Sequence, residues 1–100
     1  MTARTGAERY FDERLKDPDY RAAYERARRR IEQIDNLVRA LDDRREELGI
    51  TKAELARRAD LAPEAVRRLF STDQPNPTIA TLAALADALG VEFVPRQRAS

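Results

Sequence analysis

The chain has 100 residues, the size of one small domain, and its 19 basic residues against 18 acidic ones leave a net charge of only +1. Overall charge therefore provides no attraction to nucleic acid, and any such attraction must come from a local patch. Cysteine and histidine are both absent, which excludes disulfides, thiol nucleophiles, thiolate or imidazole metal sites and the usual proton carrier of neutral pH.

These features favour neither an enzyme nor a membrane protein. The sequence contains no cradle of glycines, no metal-ligand cluster and no nucleophile paired with a base, so we expect no catalytic residue, no metal and no cofactor. The N-terminus is charged at Arg4, Glu8 and Arg9, unlike a secretory signal. No apolar run approaches the roughly 18 residues that a membrane span needs, and we expect a cytoplasmic protein.

The first third of the chain predicts a helical extension, residues 1–34. Residues 1–7 are expected to form a loose end, followed by a short helix with one apolar edge over 8–16. Asp17 followed by Pro18 is typical of an N-cap and the first residue of a second helix, where the missing N–H of proline costs nothing.

The apolar residues after Pro18 are separated alternately by four and three positions, which predicts an amphipathic helix. They are Tyr20, Tyr24, Ala27, Ile31, Ile34, Val38, Leu41 and Leu48. Arg45 occupies the one position between Leu41 and Leu48 where the spacing would place another apolar residue. The pattern fits one long helix or two helices separated near Asp35 and Asn36. Gly49 is expected to follow the last helical residue, since glycine adopts positive φ without strain.

Residues 51–71 predict two short helices joined by a tight turn. Thr51 and Glu54 predict a reciprocal capping box, residues 60–62 interrupt the helix, and Pro63 starts the next one. The second helix has an apolar side and a charged side: Val66, Leu69 and Phe70 against Glu64, Arg67 and Arg68. Small residues in the first helix and an apolar residue in the turn complete the pattern of a helix-turn-helix.

The remainder of the chain predicts one more helix and a short strand. Residues 71–77 cannot continue the preceding helix, and Thr78 is expected to cap the last one. The apolar stripe of that last helix is Ile79, Leu82, Leu85, Ala86 and Leu89. The alternation over Val91–Val94 predicts a short C-terminal strand.

The stretch Gly49–Ala59, followed by Ala62–Leu69, resembles the Cro/C1-type (XRE-like) helix-turn-helix family. Asn76–Leu82 is similar to the usual start of that family's fourth helix, and Leu85–Val91 to its end. The resemblance covers roughly residues 37–92. It implies an all-α, lambda-repressor-like fold of five to six helices that binds double-stranded operator DNA.

We expect the DNA-binding domain to comprise residues 35–94 and a tail to follow over 95–100. The family resemblance implies that the 63–71 helix enters the major groove. The sequence departs from the family at three positions that bear on DNA binding or on the turn. Lys52 stands where glutamine is usual, Asp60 where glycine is frequent, and Ala62 where a capping serine is expected.

Charge is concentrated on this motif, because residues 51–72 hold five basic and three acidic side chains, an excess that neither flanking segment shows. Two of the acidic residues, Glu54 and Glu64, have local roles at helix N-termini, which leaves the arginines for DNA. Arginine reads guanine, glutamate accepts from cytosine, and Lys52 with the nearby backbone amides holds phosphate. The expected DNA-binding residues are Thr51, Lys52, Pro63, Glu64, Ala65, Arg67, Arg68 and Ser71.

Residues Tyr10–Tyr24 resemble the leader of HigA-type antitoxins. That resemblance implies autoregulation of a toxin–antitoxin operon and binding of a RelE/HigB-like toxin. The expected partner-binding residues are Tyr10, Phe11, Leu15, Tyr20 and Tyr24. Intramolecular packing or a dimer surface explains the same stripe equally well.

A second basic cluster consists of Arg26, Arg28, Arg29 and Arg30. It fits contact with DNA, contact with an acidic partner, or a solvated surface balanced by Glu25, Glu32 and Asp35.

We expect an operator-binding repressor that acts as a homodimer, since one unit contacts too few bases, and that serves as the antitoxin of a type II module. The alternatives are an orphan XRE-type regulator without a toxin and a protein-interaction module that has lost DNA binding.

Overall fold

The computed structural model describes residues 5–99, which contain five helices and no strand. The helices are α1 (Gly6–Arg14), α2 (Pro18–Glu47), α3 (Lys52–Ala59), α4 (Pro63–Ser71) and α5 (Ile79–Leu89). The prediction of an all-α chain with five to six helices is confirmed. Contacts divide the chain into two compact units, which meet in sequence at Gln33 and Ile34.

Helix α1 begins two residues earlier than the sequence predicts. The Thr5 hydroxyl accepts from the Glu8 amide at 3.1 Å, and the Glu8 carboxylate accepts from the Thr5 amide at 3.1 Å. This reciprocal capping box satisfies two amide groups and starts the helix at Gly6. The predicted loose end is therefore wrong for residues 5–7, and its first four residues lie outside the described part of the chain.

Helix α2 is continuous over its 30 residues, which settles the choice between one helix and two. The Asp17 carboxylate accepts from the Asp19 amide at 2.9 Å, so the predicted cap before Pro18 is confirmed. Asp35 and Asn36 do not interrupt the helix, because their lower helix propensity costs only a fraction of about 1 kcal/mol.

Three helices end with the same pair of backbone hydrogen bonds around a residue of positive φ. Gly49, Asp60 and Gly90 have φ of 69°, 56° and 68°, respectively. The amide of the following residue then reaches back to the preceding turn in each case: Ile50 to Arg45 at 3.3 Å, Leu61 to Ala56 at 2.9 Å, and Val91 to Ala86 at 2.9 Å. Each of these following residues packs against the core, so every helix end also directs the chain back to the hydrophobic interior.

The hydrophobic core belongs to the unit that begins at Ile34. Its buried members are Val38, Leu41, Leu55, Ala56, Val66, Leu69, Leu85, Ala86 and Leu89. Helix α3 packs against both α4 and α5. Ile79, the first residue of the predicted apolar stripe of α5, is 83% exposed and lies outside the core. As the first residue of α5 it lies a full turn before Leu82, outside the buried part of the stripe.

The predicted strand over Val91–Val94 is wrong. The described residues contain no strand with which this segment could pair, so its N–H and C=O groups have no ladder partner. The amide of Val91 instead closes α5 by bonding to Ala86. Phe93 and Val94 are both exposed, so their side chains do not alternate between a buried and a solvated face.

Candidate nucleic-acid interface

The turn between α3 and α4 places one face of α4 in solvent. Ala56 is fully buried and Ala59 half-buried, and such small side chains allow the two helices to approach closely. Val66 and Leu69 anchor the inner face of α4 in the core, at 1% and 8% exposure. The predicted DNA-binding residues of α4 are all exposed: Pro63, Glu64, Ala65, Arg67, Arg68 and Ser71.

The N-terminus of α3 offers backbone amides beside Thr51 and Lys52. The Thr51 hydroxyl accepts from the Glu54 amide at 3.0 Å, as predicted. The first amides of a helix have no acceptor within it, so those of Lys52 and Ala53 are suited to an anion. Lys52 is half-buried, and its ammonium group makes no ion pair with any described residue.

The second half of the predicted capping box at Thr51 is wrong. The Glu54 carboxylate accepts from Arg57 Nε and Arg58 Nε, each at 3.0 Å, rather than from the Thr51 amide. Charge-assisted hydrogen bonds from guanidinium groups three and four residues ahead are stronger than one from a neutral amide. Both hydrogen bonds lower the pKa of the Glu54 carboxyl from its ordinary value, and the one from Arg57 has the larger effect.

The arginines of the motif therefore differ in their partners. Arg57 and Arg58 share Glu54, and Arg67 Nη2 lies 2.8 Å from the Glu64 carboxylate. Arg68 is the one arginine of 51–72 whose guanidinium makes no ion pair or hydrogen bond with a described residue. The sequence-based reasoning that all four are unoccupied is wrong, because Glu54 and Glu64 reach arginines one turn ahead of them.

The hydroxyl of Ser71 is also engaged within its own helix. Ser71 Oγ donates to the Arg67 carbonyl at 2.7 Å. In this arrangement its hydrogen is directed at the backbone, and the oxygen remains an acceptor, whereas a phosphate requires a donor. Ser71 thus lies on the exposed face of α4 with its hydroxyl hydrogen bonded to the Arg67 carbonyl.

A groove beside Arg68, lined by both polar and apolar residues, was missed by sequence reasoning. It has a volume of about 380 Å³ and lies between α4 and the loop that leads to α5. Its polar lining residues are Arg68, Thr72, Gln74, Asn76, Thr78 and Thr81. The Thr78 hydroxyl is occupied by the Thr81 amide at 3.1 Å, whereas the Gln74 and Asn76 amides are exposed. The available signal was the run of polar residues around Pro75 and Pro77 directly after α4.

The predicted partner-binding residues lie in the unit that ends at Gln33, and three of them pack on one another. The Phe11 ring meets Tyr20 and Tyr24 edge to face, with centroids 6.5 and 5.1 Å apart. Leu15 is half-buried. Tyr10 is 64% exposed, and its hydroxyl accepts from Arg14 at 3.0 Å. Intramolecular packing thus accounts for much of the aromatic stripe, and Tyr10 is left facing solvent.

The described residues contain no helix that is long and apolar enough to cross a membrane. They also contain no group of three or more acidic, cysteine or histidine side chains arranged to hold a metal ion.

Comparison with family models matches residues 41–95 to the family described as helix-turn-helix. Comparisons with curated proteins and with solved structures found no match. The matched segment is more than half of the chain and includes α3, the turn at Asp60, α4 and α5. The chain therefore belongs to the helix-turn-helix family of the Cro/C1 (XRE-like) type, whose members are DNA-binding transcription regulators.

Proposed function

We propose that this protein is a sequence-specific repressor that inserts the exposed face of α4 into the major groove of its operator, with Arg68 as the principal base-reading residue. The observation that carries the proposal is the exposed and unpaired guanidinium of Arg68. It lies on the solvent face of a helix anchored by Val66 and Leu69, and its guanidinium has no partner among the described residues.

Base recognition by Arg68 requires no other interaction to be broken. A guanidinium presents two parallel donors that match O6 and N7 of guanine, and such a bidentate contact discriminates by about 1–3 kcal/mol. Arg67 must first leave Glu64, but both side chains are exposed and a pair of this kind is worth only about 0–1 kcal/mol. Release of the pair also frees the Glu64 carboxylate to accept from cytosine N4.

Phosphate contacts would hold α4 in register. The amides at the start of α3, together with the Lys52 ammonium, form one site for a backbone phosphate. The exposed side-chain amides of Gln74 and Asn76, in the groove beside Arg68, offer a second set of donors. These contacts position the protein without reading sequence.

The repressor is proposed to bind as a homodimer. One helix of nine residues reaches only a few base edges, and two copies on paired half-sites supply the affinity and specificity that one lacks. A dimer held on its operator excludes other proteins from the same DNA, which is the simplest means of repression.

The test begins with selection of a preferred site from random duplex DNA. Arg68→Ala is expected to lose about 1–3 kcal/mol on that site and little on random duplex, because only a base contact distinguishes the two. Arg57→Ala is the matched control, an exposed arginine of α3 already paired with Glu54. Undiminished discrimination by Arg68→Ala would overturn this placement of α4.

A second candidate function, antitoxin of a type II module, is favoured by the resemblance of residues 10–24 to HigA-type leaders. Tyr10 and Ile31, at 64% and 42% exposure, are the large apolar residues that this unit leaves in solvent among those described. Aromatic anchors often supply much of the energy of a protein interface. We therefore propose these two residues as the contact for a RelE/HigB-like toxin.

This candidate is tested by the growth of cells that express a toxin-like gene adjacent to that of the protein. Full-length protein should restore growth, and the double variant Tyr10→Ala, Ile31→Ala should restore it poorly. Ile79→Ala, an exposed apolar residue of the other unit, should neutralise as well as the parent. If the parent does not neutralise the toxin, the alternative of an orphan regulator remains. If the parent also binds no duplex DNA, the alternative of a protein-interaction module remains.

A further inference from the structure

One face of α2 carries arginines and no carboxylate over three turns. At 100° per residue, Ala22, Arg26, Arg29, Arg30 and Gln33 fall within roughly a third of the helix circumference. All five are exposed. We refer to these five residues as the arginine face.

The acidic residues of this helix segment are paired elsewhere. Glu25 lies 3.2 Å from Arg21, and Glu32 lies 3.4 Å from Arg28, on a different side of the helix. Arg26, Arg29 and Arg30 make no ion pair or hydrogen bond with any residue that the structure describes. Glu25 thus pairs with Arg21 and Glu32 with Arg28. Arg29 borders a shallow groove with both carboxylates but pairs with neither.

Asp35 does not supply the missing balance either. It is half-buried and makes no ion pair with a described arginine. Three full positive charges therefore stand together in solvent within a chain whose net charge is only +1. A local patch of this kind attracts polyanions even when the whole molecule is nearly neutral.

We infer that the arginine face binds the phosphate backbone of duplex DNA. This inference rests on the proposed DNA-binding function. The three arginines are spread over about 6 Å of helix length, at 1.5 Å per residue. A duplex presents one phosphate charge for about every 1.7 Å of its axis, so a segment of this length carries several phosphates. A planar guanidinium matches two phosphate oxygens at once.

The composition of the face favours DNA over an acidic protein. Besides arginine it offers only Ala22 and Gln33, so it lacks the apolar or aromatic centre on which protein interfaces depend. An exposed arginine–carboxylate pair contributes little. Binding to duplex DNA gains free energy by releasing condensed counterions, and it requires neither an apolar centre nor a fixed side-chain geometry.

The experiment compares two full-length triple variants. The arginine-face variant carries Arg26→Gln, Arg29→Gln and Arg30→Gln, and the control variant carries Lys16→Gln, Arg21→Gln and Arg28→Gln. Both triple variants remove three positive charges, but each residue of the control is already paired with a carboxylate. Glutamine keeps good helix propensity, and circular dichroism verifies that both variants fold. Affinity is measured over a series of KCl concentrations on the selected site and on random duplex.

The arginine-face variant should show a log–log salt slope shallower by roughly 2–3 per bound protomer, at about 0.9 per phosphate contact. The change should be equal on both duplexes, and hydroxyl-radical footprinting should show fewer protected backbone positions. The control should keep the slope of the parent. Equal slopes in the parent and the arginine-face variant, or equal losses in both variants, would overturn the inference.

Failure of the inference is distinguishable from failure of the proposed function. A parent that prefers its selected site, with a slope unchanged by the arginine-face variant, contradicts the inference alone. A parent that shows no preference for the selected site contradicts base recognition by α4. A shallower salt slope in the arginine-face variant would still support phosphate binding by α2.

Discussion

The two compact units of the chain are stabilised in different ways. All nine buried apolar residues lie in the unit that begins at Ile34, and the described residues of the other unit bury none. The N-terminal unit is held instead by a capping box at Thr5, by edge-to-face contacts around Phe11, and by exposed ion pairs. Helices form in both units, but burial distinguishes them.

This difference matches the demands of the functions proposed for each unit. Base reading requires side chains held within a fraction of an ångström, and the anchoring of α4 by Val66 and Leu69 provides such a support. Contacts to phosphate tolerate looser geometry because they depend on charge rather than on a pattern of donors. A unit that buries none of its described residues can therefore carry the arginine face.

The largest expected effect is in the core. Leu55→Ala should lower the free energy of unfolding by about 2–5 kcal/mol, because Leu55 is fully buried at the centre of the packed helices. Leu48→Ala, at a site that is 41% exposed, should cost much less. Denaturant unfolding monitored by circular dichroism measures both. Equal losses would contradict the assignment of the core.

A smaller and more local effect is expected in the N-terminal unit. Phe11→Ala removes both edge-to-face contacts, which are worth about 0.5–1.5 kcal/mol each beyond buried area. Hydrogen exchange should accelerate over residues 6–24, whereas the amides of Leu55 and Leu85 should keep their protection. Tyr10→Ala, which removes an exposed ring, is the control. Lost protection at Leu85 would contradict separate stabilisation of the two units.

The smallest effect concerns the pH dependence of stability. The hydrogen bonds from Arg57 and Arg58 lower the pKa of Glu54 in the folded protein, so Glu54 contributes stability above its unfolded pKa, near 4.5. This contribution is lost as the pH falls through the folded pKa. Glu54→Gln should therefore be less stable than the parent at pH 6, and the difference should vanish in stronger acid.

The control for this titration is Glu92→Gln, at an exposed carboxylate outside the helices. Thermal unfolding from pH 6 to pH 2 compares both variants with the parent. A difference for Glu54→Gln that grows as the pH falls would contradict the direction of the pKa shift.

Features that depend on a few neighbouring residues were determined by the sequence itself. Pro18 and Pro63 start their helices, Thr78 caps α5, and Asp60 takes the left-handed conformation at the place where glycine is usual. Each follows from a fixed dihedral preference or from a hydrogen bond within one turn, so no distant contact is needed to predict it. The outward direction of the α4 arginines follows in the same way from the spacing of Val66 and Leu69.

The tertiary structure decided the features for which the sequence offers competing partners or no partner. Glu54 had a backbone amide and two guanidinium groups within reach, and the charged donors prevailed. Val91–Val94 has the alternation of a strand, but no second strand among the described residues can satisfy its backbone groups. Phe11 was equally suited to a partner protein, yet it packs on Tyr20 and Tyr24. In each case the free energy depends on which groups meet in space, and spacing along one segment does not contain that information.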